Sequence, residues 1–393
     1  MKPAARLQSA IELLDIILDA AKEGGGSADQ LAKSFFAARR YAGSKDRRAV
    51  RELVWNAIRR FGERPQNARS AFVAMADSDM ELANLFDGSD YGPATRGADE
   101  PRARGGPLPL WIIPHLSDLI ETHERSALLD RAPLDLRANT LKTSREDVAA
   151  QLPDADVLVQ TSYALRLPTG YQVENHPVLL DGFVEIQDLG SQLIVDACTA
   201  RPGMTVLDLC AGAGGKTLGL AAAMKNDGHL IASDTNRNRL DQLKPRANRA
   251  GATMLETRLM NPGREIDMLS DLAGNCDVVL IDAPCSGSGT WRRNPETRWR
   301  LNPVRLDRVL AEQEKLLNIG ADMVAPSGHL VYAVCSIIAN EGRGQVSNFL
   351  KSHIGWRAVD PGVGAGRPEG DGIIVTPYHD GSDGFFFAKL AKP

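Results

Sequence analysis

The sequence predicts an α/β protein: an open, mainly parallel, doubly wound sheet preceded by a small α/β module and an all-helical front. Three observations carry this. From residue 183 onward apolar, strand-like runs alternate with helical stretches. The first clear strand of that series runs into a glycine-rich turn, "LDLCAGAGGKT" at 207–217, and a second strand about twenty residues on ends in Asp234. Residues 1–65 instead keep apolar residues three and four apart, the spacing of helices. At 393 residues the chain exceeds one ordinary core, and the boundaries are expected at 1–130, 131–178 and 179–393.

The helical front reads as "AIELLDIILDAA", "ADQLAKSFFAARRYA" and "KDRRAVRELVWNAIRRFG". Lys45, Arg47, Arg48, Arg51, Arg59 and Arg60 crowd the third segment. Residues 1–65 hold 13 Lys/Arg against 8 Asp/Glu, whereas 66–132 hold 6 against 11. A net charge of −4 argues against indiscriminate coating of nucleic acid, but this local excess can steer an anionic polymer. Arg47, Arg48 and Arg51 are therefore candidate phosphate contacts; the alternative is a solvated helix face.

The stretch 87–111, dense in Gly, Pro and Asp, reads as a loop, and "IIPHLSDLIETHERSALLDRA" closes the front with a last helical piece. From "PLDLRANTLKTSREDVAAQL" to "YALRLPTGYQV" the pattern is strand, helix, strand, the small α/β module. Beyond it "MTVLDLC", "GHLIASD", "CDVVLID" and "GHLVYAVC" are the clear strands. No apolar run reaches the length of a membrane span, and the first residues carry acids within their apolar stretch, as an amphipathic helix does and a signal peptide does not. Five cysteines, Cys198, Cys210, Cys276, Cys285 and Cys335, form neither a metal-ligand spacing nor an even disulfide framework. Reduced thiols, a cytoplasmic location, no metal and a monomeric chain are the expectations.

The glycine turn ends in Gly-Lys-Thr, as a phosphate-binding loop does. That loop needs glycine where this chain has Cys210, because its anion nest uses backbone conformations a side chain disfavours. The alternative is a doubly wound site in which Gly212, Gly214 and Gly215 let the backbone approach a ligand, with Asp234 placed for ribose hydroxyls. A ligand with a ribose and no phosphate, such as S-adenosylmethionine, suits this turn better than a dinucleotide does.

Two cysteines stand just past core strands: Cys285 in "LIDAPCSGSG", after Asp282 and Pro284, and Cys335 before Ser336 in "LVYAVCSIIANE". Both strand ends open toward the glycine loop if the sheet is parallel. Cys198, Cys210 and Cys276 read as small buried hydrophobes. Methylation of carbon 5 of cytosine requires a thiolate, since that carbon is a poor nucleophile until a thiolate adds to carbon 6. An acid such as Asp282 can accept from the amino edge of the ring.

With these residues in view, "DLCAGAGGKT", "IDAPCSGSG", "RRNPETRW", the Val-Cys-Ser-Ile and Asn-Glu residues of 334–341 and the closing "DGFFFAKL" resemble the Sun (Nol/Nop/Sun) family of RNA cytosine-5 methyltransferases, laid out like its bacterial RsmB-type members. "ARRYAGSKDRRAVRELVWNAIRR" resembles their NusB-like RNA-binding front. The resemblance implies a seven-stranded, Rossmann-like, S-adenosylmethionine-dependent domain closed by the "GFFFAKL" strand. It implies that Cys335 is the nucleophile, that Cys285 helps release the product, that Asp282 contacts the cytosine and that Lys216 closes the cofactor loop. Cys210, Ala211, Gly212, Ala213, Gly214, Gly215 and Lys216 would lie along the methionine part, Asp234 would hold the ribose, and Arg239 and Asp282 would complete the cofactor site. The sequence departs from the family at Ala213, usually proline, and at Val334, usually threonine. It departs too where an adenine-contacting acid is expected; Asn261, after Met260, would serve through its carbonyl.

"TWRRNPETRWRL" interleaves Trp291 and Trp299 with arginines, and single-stranded RNA is read by aromatic faces and guanidinium groups. Arg292, Arg293, Arg298 and Trp299 are thus candidate RNA contacts; the alternative is that the tryptophans are core residues. The target cytosine has to leave any stack to reach Cys335. Ribosomal RNA of the small subunit is the expected partner. The rivals are transfer RNA, a DNA methyltransferase with Cys285 as nucleophile, and a catalytically silent RNA-binding protein.

Overall fold

The computed structural model describes residues 1–393. The chain forms two compact units, each built on its own core. Met1–Leu116, Glu121–Leu129 and Thr290–Pro303 make one; Ser117–Ile120, Asp130–Gly289 and Val304–Pro393 make the other.

The first unit is helical. Helix α1 (Pro3–Glu23) starts with proline in its first turn and stops at Gly24, whose φ of 79° suits the left-handed cap. Leu7, Leu14, Ile17 and Leu18 recur on one face and are buried. Helix α2 (Ala28–Ala37) opens with a capping box, the Ser27 hydroxyl accepting from the Gln30 N–H. Helices α3 (Ser44–Arg60) and α4 (Ala68–Ala76) add Val50, Val54, Ile58 and Phe72 to the same core. Residues 290–303, expected on sequence in the catalytic domain, belong to this unit, and Trp299 is one of its core residues.

The second unit begins with the small module. Its four-stranded antiparallel sheet has the order β2-β3-β1-β4, with β1 at Leu134–Ala138, β2 at Asp156–Val157, β3 at Ala164–Leu167 and β4 at Val184–Ile186. Pairing of Ala138 with Val184 carries this sheet past residue 178, the boundary expected from the sequence pattern.

The large sheet follows. Its strands are β5 (Thr205–Asp208), β6 (His229–Asp234), β7 (Leu255–Leu259), β8 (Cys276–Asp282), β9 (Val324–Val334), β10 (Arg357–Val359), β11 (Arg367–Glu369), β12 (Gly372–Val375) and β13 (Phe385–Ala391). The order is β11-β12-β13-β9-β8-β5-β6-β7, with β10 on β13. The seven strands from β12 to β7 make the expected Rossmann-like core, and β10 and β11 extend it to nine. Strands β5 to β9 pair in parallel, and β13, the "FFFAKLA" strand, runs antiparallel to β9. Parallel strands are covered on both faces. Alternation with period two sends Val206, Val278 and Leu280 into one cluster and Leu207, Val279 and Ile281 into the opposite one. After β7 the chain crosses back beside β5 to form β8, so a crevice opens at the carboxyl ends of β5 and β8. No helix is long and apolar enough to cross a membrane.

Candidate active site

The glycine turn follows β5 directly. Gly212 and Gly214 take φ values of 56° and 83°, a region a side chain resists, and a Cβ on Gly214 would meet Leu243 Cδ1 at 2.0 Å. The turn then enters the helix Gly215–Ala223, whose first residues include Lys216 and Thr217. Three arms fix it from outside. Arg246 donates to the Ala213 carbonyl at 2.6 Å, Arg137 to the Gly215 carbonyl at 2.8 Å, and the Gly212 N–H donates to Asp234 Oδ2 at 2.8 Å.

Beside the turn lies a cavity of about 290 Å³, lined by Gln187 and Asp188, Asp208, the loop residues Cys210, Ala211, Ala213, Gly215 and Lys216, Arg239, and Asp282. The strand ends thus bring together most of the residues expected to hold a cofactor. Asp234 sits behind the turn, nine-tenths buried, with its other oxygen accepting from the Asn236 N–H at 2.7 Å. The structure does not bring Asn261 into the lining: it is exposed, and its N–H points to the Met268 sulfur at 3.3 Å.

Asp208 was not singled out by sequence, yet it is the most buried acid of the cavity. Its Oδ2 accepts the Thr217 hydroxyl at 2.6 Å, while Oδ1 has no hydrogen-bond partner. Burial, and secondarily the nearby Asp282 charge, push its pKa up to about 7. Asp282, at the end of β8, accepts from Lys216 Nζ at 2.6 Å. Burial works against the Lys216 charge, but Asp282, and further off Cys335, more than restore it and leave the ammonium pKa above the ordinary lysine value. Lys216 also lies 5.4 Å from the ring centre of Phe385 on β13.

The two cysteines that follow β8 and β9 come together, with Cys285 Sγ 3.2 Å from Cys335 Sγ. The hydrogen bond between them, then burial, holds the Cys285 thiol well above the usual cysteine pKa. Cys285 therefore stays protonated and can donate to the Cys335 sulfur. Cys198 and Cys276 are fully buried, as expected, and Cys210 is half-buried in the cavity wall.

Three expected RNA contacts, Arg292, Arg298 and Trp299, are buried and are corrected. Arg298 has no exposed surface, and its Nη2 donates to the Arg59 and Phe61 carbonyls at 3.1 and 3.0 Å and to that of Ile58. These are orphan acceptors at the C-terminus of α3, so Arg298 caps a helix rather than facing a ligand. Trp299 is 6% exposed and donates its indole N–H to the Phe61 carbonyl at 2.8 Å. Trp291 is fully buried as well, and Arg292 is buried and Arg293 half-buried. On α3, Arg48 is exposed; Arg47 donates to the Ala42 carbonyl at 2.8 Å, and Arg51 pairs with Asp29 and lies over Trp55.

Comparison with known proteins agrees with this architecture. A family model described as 16S rRNA methyltransferase RsmB/F matches residues 195–391, half of the chain. A probable ribosomal RNA small subunit methyltransferase B of Synechocystis is 33% identical over 290 residues, covering 69% of this chain and 63% of that protein. The ribosomal RNA small subunit methyltransferase B of Pectobacterium atrosepticum is 32% identical over 291 residues, covering 72% and 66%. The chain thus spans slightly less than two thirds of the length of these relatives. Among solved structures, the crystal structure of PH0851 shares the fold over 100% of this chain and 99% of its own, with a TM-score of 0.74 and 22% identity. A methyltransferase homolog protein from Pyrococcus horikoshii covers 71% of this chain and 92% of its own, with a TM-score of 0.62 and 25% identity. The family match takes in the whole large sheet from β5 to β13, and the chain belongs to the RsmB/F family of 16S rRNA methyltransferases.

Proposed function

We propose that this protein methylates carbon 5 of a cytosine in small-subunit ribosomal RNA, with S-adenosylmethionine as methyl donor and Cys335 as covalent nucleophile. The observation that carries the reading is the pair of sulfurs 3.2 Å apart at two neighbouring strand ends, on the same sheet edge as the Lys216–Asp282 ion pair.

The residues of the cavity fit the donor. S-adenosylmethionine, when bound, supplies a methyl group on a sulfonium, and it carries an ammonium and a ribose as well. Asp188, Asp208 and Asp282 give the cavity an acidic wall, and the unpartnered Asp208 Oδ1 is an acceptor suited to an ammonium. Asp234 retains lone pairs for ribose hydroxyls beyond its two backbone bonds.

On the RNA side, Cys335 adds its thiolate to carbon 6 and makes carbon 5 nucleophilic. The Lys216 ammonium lies in the field of the Cys335 sulfur, and the protonated Cys285 donates to that sulfur. Asp282 accepts from the cytosine amino edge. After methyl transfer the carbon-5 proton passes to solvent, its bonding pair closes the carbon-5–carbon-6 double bond, the Cys335–carbon-6 pair returns to sulfur, and the Cys285 thiol steadies the departing thiolate by donating a hydrogen bond to it. The names of the relatives favour ribosomal RNA, and the exposed Lys45 and Arg48 of α3 offer phosphate contacts. Bisulfite sequencing of ribosomal and transfer RNA from cells with and without the gene tests this. Loss of one protected cytosine in small-subunit RNA supports the reading. Loss only in transfer RNA moves the substrate, and no change in any RNA removes the catalytic claim.

A further inference from the structure

One buried carboxylate ties the two cysteine loops together. Glu341 is fully buried at the start of a π-helical turn, Asn340–Gly344, a break in regular winding of the kind found at functional sites. Its Oε1 accepts from the Ser286 backbone N–H at 2.8 Å and from Gln313 Nε2 at 2.9 Å. Its Oε2 accepts from the Ser336 hydroxyl at 2.5 Å. Ser286 is the residue after Cys285, and Ser336 the residue after Cys335. The Glu341 carbonyl in turn accepts from Tyr332 on β9 at 2.7 Å. Ser288 and Ser336 complete the bridge, their hydroxyls 3.0 Å apart, with the Ile337 N–H donating to Ser288.

A carboxylate buried without a cationic partner is costly, and it persists when neutral donors satisfy it. Here those donors come from the loop after β8, the loop after β9 and the helix Pro303–Met323. We propose that Glu341 is a positioning residue that sets the separation of the Cys285 and Cys335 sulfurs by anchoring both loops to one rigid acceptor. This rests on reading those cysteines as the working pair, yet it is tested without RNA or methyl donor.

The test is disulfide formation in the full-length protein on addition of diamide, which takes up the two thiol hydrogens as the sulfurs join. Peptide mass spectrometry follows the Cys285–Cys335 link with time. The fully buried Cys198 and Cys276 are the folding control, because they react with iodoacetamide only if the unit opens. The wild type is expected to link this pair selectively. Glu341→Ala is expected to slow the link about tenfold or more, as a displacement of about 1 Å would. Glu341→Gln, which keeps an acceptor for Ser286 and can donate to Ser336, is expected to restore it to about twofold of wild type. If Glu341→Ala exposes Cys198 and Cys276, Ser336→Ala takes its place as the deciding variant; it deletes one arm of the bridge and is expected to slow the link about threefold. An unchanged rate in the folded alanine variant, or in Ser336→Ala where that variant decides, overturns the proposal. So does a wild type that fails to link, or a glutamine variant as slow as alanine. Because no RNA is present, failure here leaves the methylation reading to its own experiment.

Discussion

Asp208→Asn gives the most quantitative prediction. Asp208 ends β5 with 1% exposure, one oxygen bonded to Thr217 and the other unpartnered. In the unfolded chain its carboxyl ionises near pH 4, whereas in the folded protein burial raises this to about 7. Between those values the folded chain holds one proton more than the unfolded chain, so stability falls as pH rises. The contribution of this group is intact below about pH 4, falls by about 1.4 kcal/mol per pH unit, and is lost above about pH 7. Asparagine keeps an acceptor for Thr217 and carries no charge, so its own cost does not vary with pH. Urea unfolding of both proteins at pH 5 and pH 8 isolates the effect, because titrating groups distant from Asp208 cancel in the difference. The gap should move by about 3 kcal/mol in favour of the asparagine variant between the two pH values. A gap that stays constant within error refutes the assignment of a raised pKa to Asp208.

Four further outcomes follow from the same geometry. If the ammonium of S-adenosylmethionine meets Asp208, binding should release close to one proton at pH 6 and less at pH 8. Calorimetry in buffers of different ionisation enthalpy measures this, and Asp208→Asn should abolish it. Arg298→Met should destabilise the helical unit by about 2 kcal/mol, through the α3 carbonyls it leaves bare, and leave the salt dependence of RNA affinity unchanged. Arg48→Gln should do the reverse, sparing urea stability and lowering the salt slope by about one. Gly214→Ala forces a side chain into a left-handed conformation and against Leu243; it should cost about 2–4 kcal/mol in thermal unfolding and weaken the methyl donor more than the RNA.

Much of the site was legible because its signals are local. The glycine turn, Asp234, Asp282 and the two cysteines each stand at the carboxyl end of an apolar strand, and a parallel sheet gathers those ends on one edge. What escaped the sequence depends on partners far away along the chain. Arg298 and Trp299 look like an exposed basic-aromatic stretch, and only the α3 carbonyls, more than 230 residues earlier, show why they are buried. Strand β7 was missed because "LETRL" is a half-buried edge strand with polar residues at three of its five positions. Glu341 lies within a quoted motif, but its role needs Ser286 and Gln313, donors from two other elements. Asp208 reads as an ordinary strand-terminal acid until Asp282 and the cavity are placed beside it.

The central claim is that Cys335 attacks the base and Cys285 lets it go. Cys285→Ser and Cys335→Ser, each incubated with small-subunit RNA and S-adenosylmethionine and run on a denaturing gel, test it directly. The account predicts a stable protein–RNA adduct for Cys285→Ser, which attacks but releases slowly, and none for Cys335→Ser. An adduct with Cys335→Ser and none with Cys285→Ser would contradict it and make Cys285 the nucleophile.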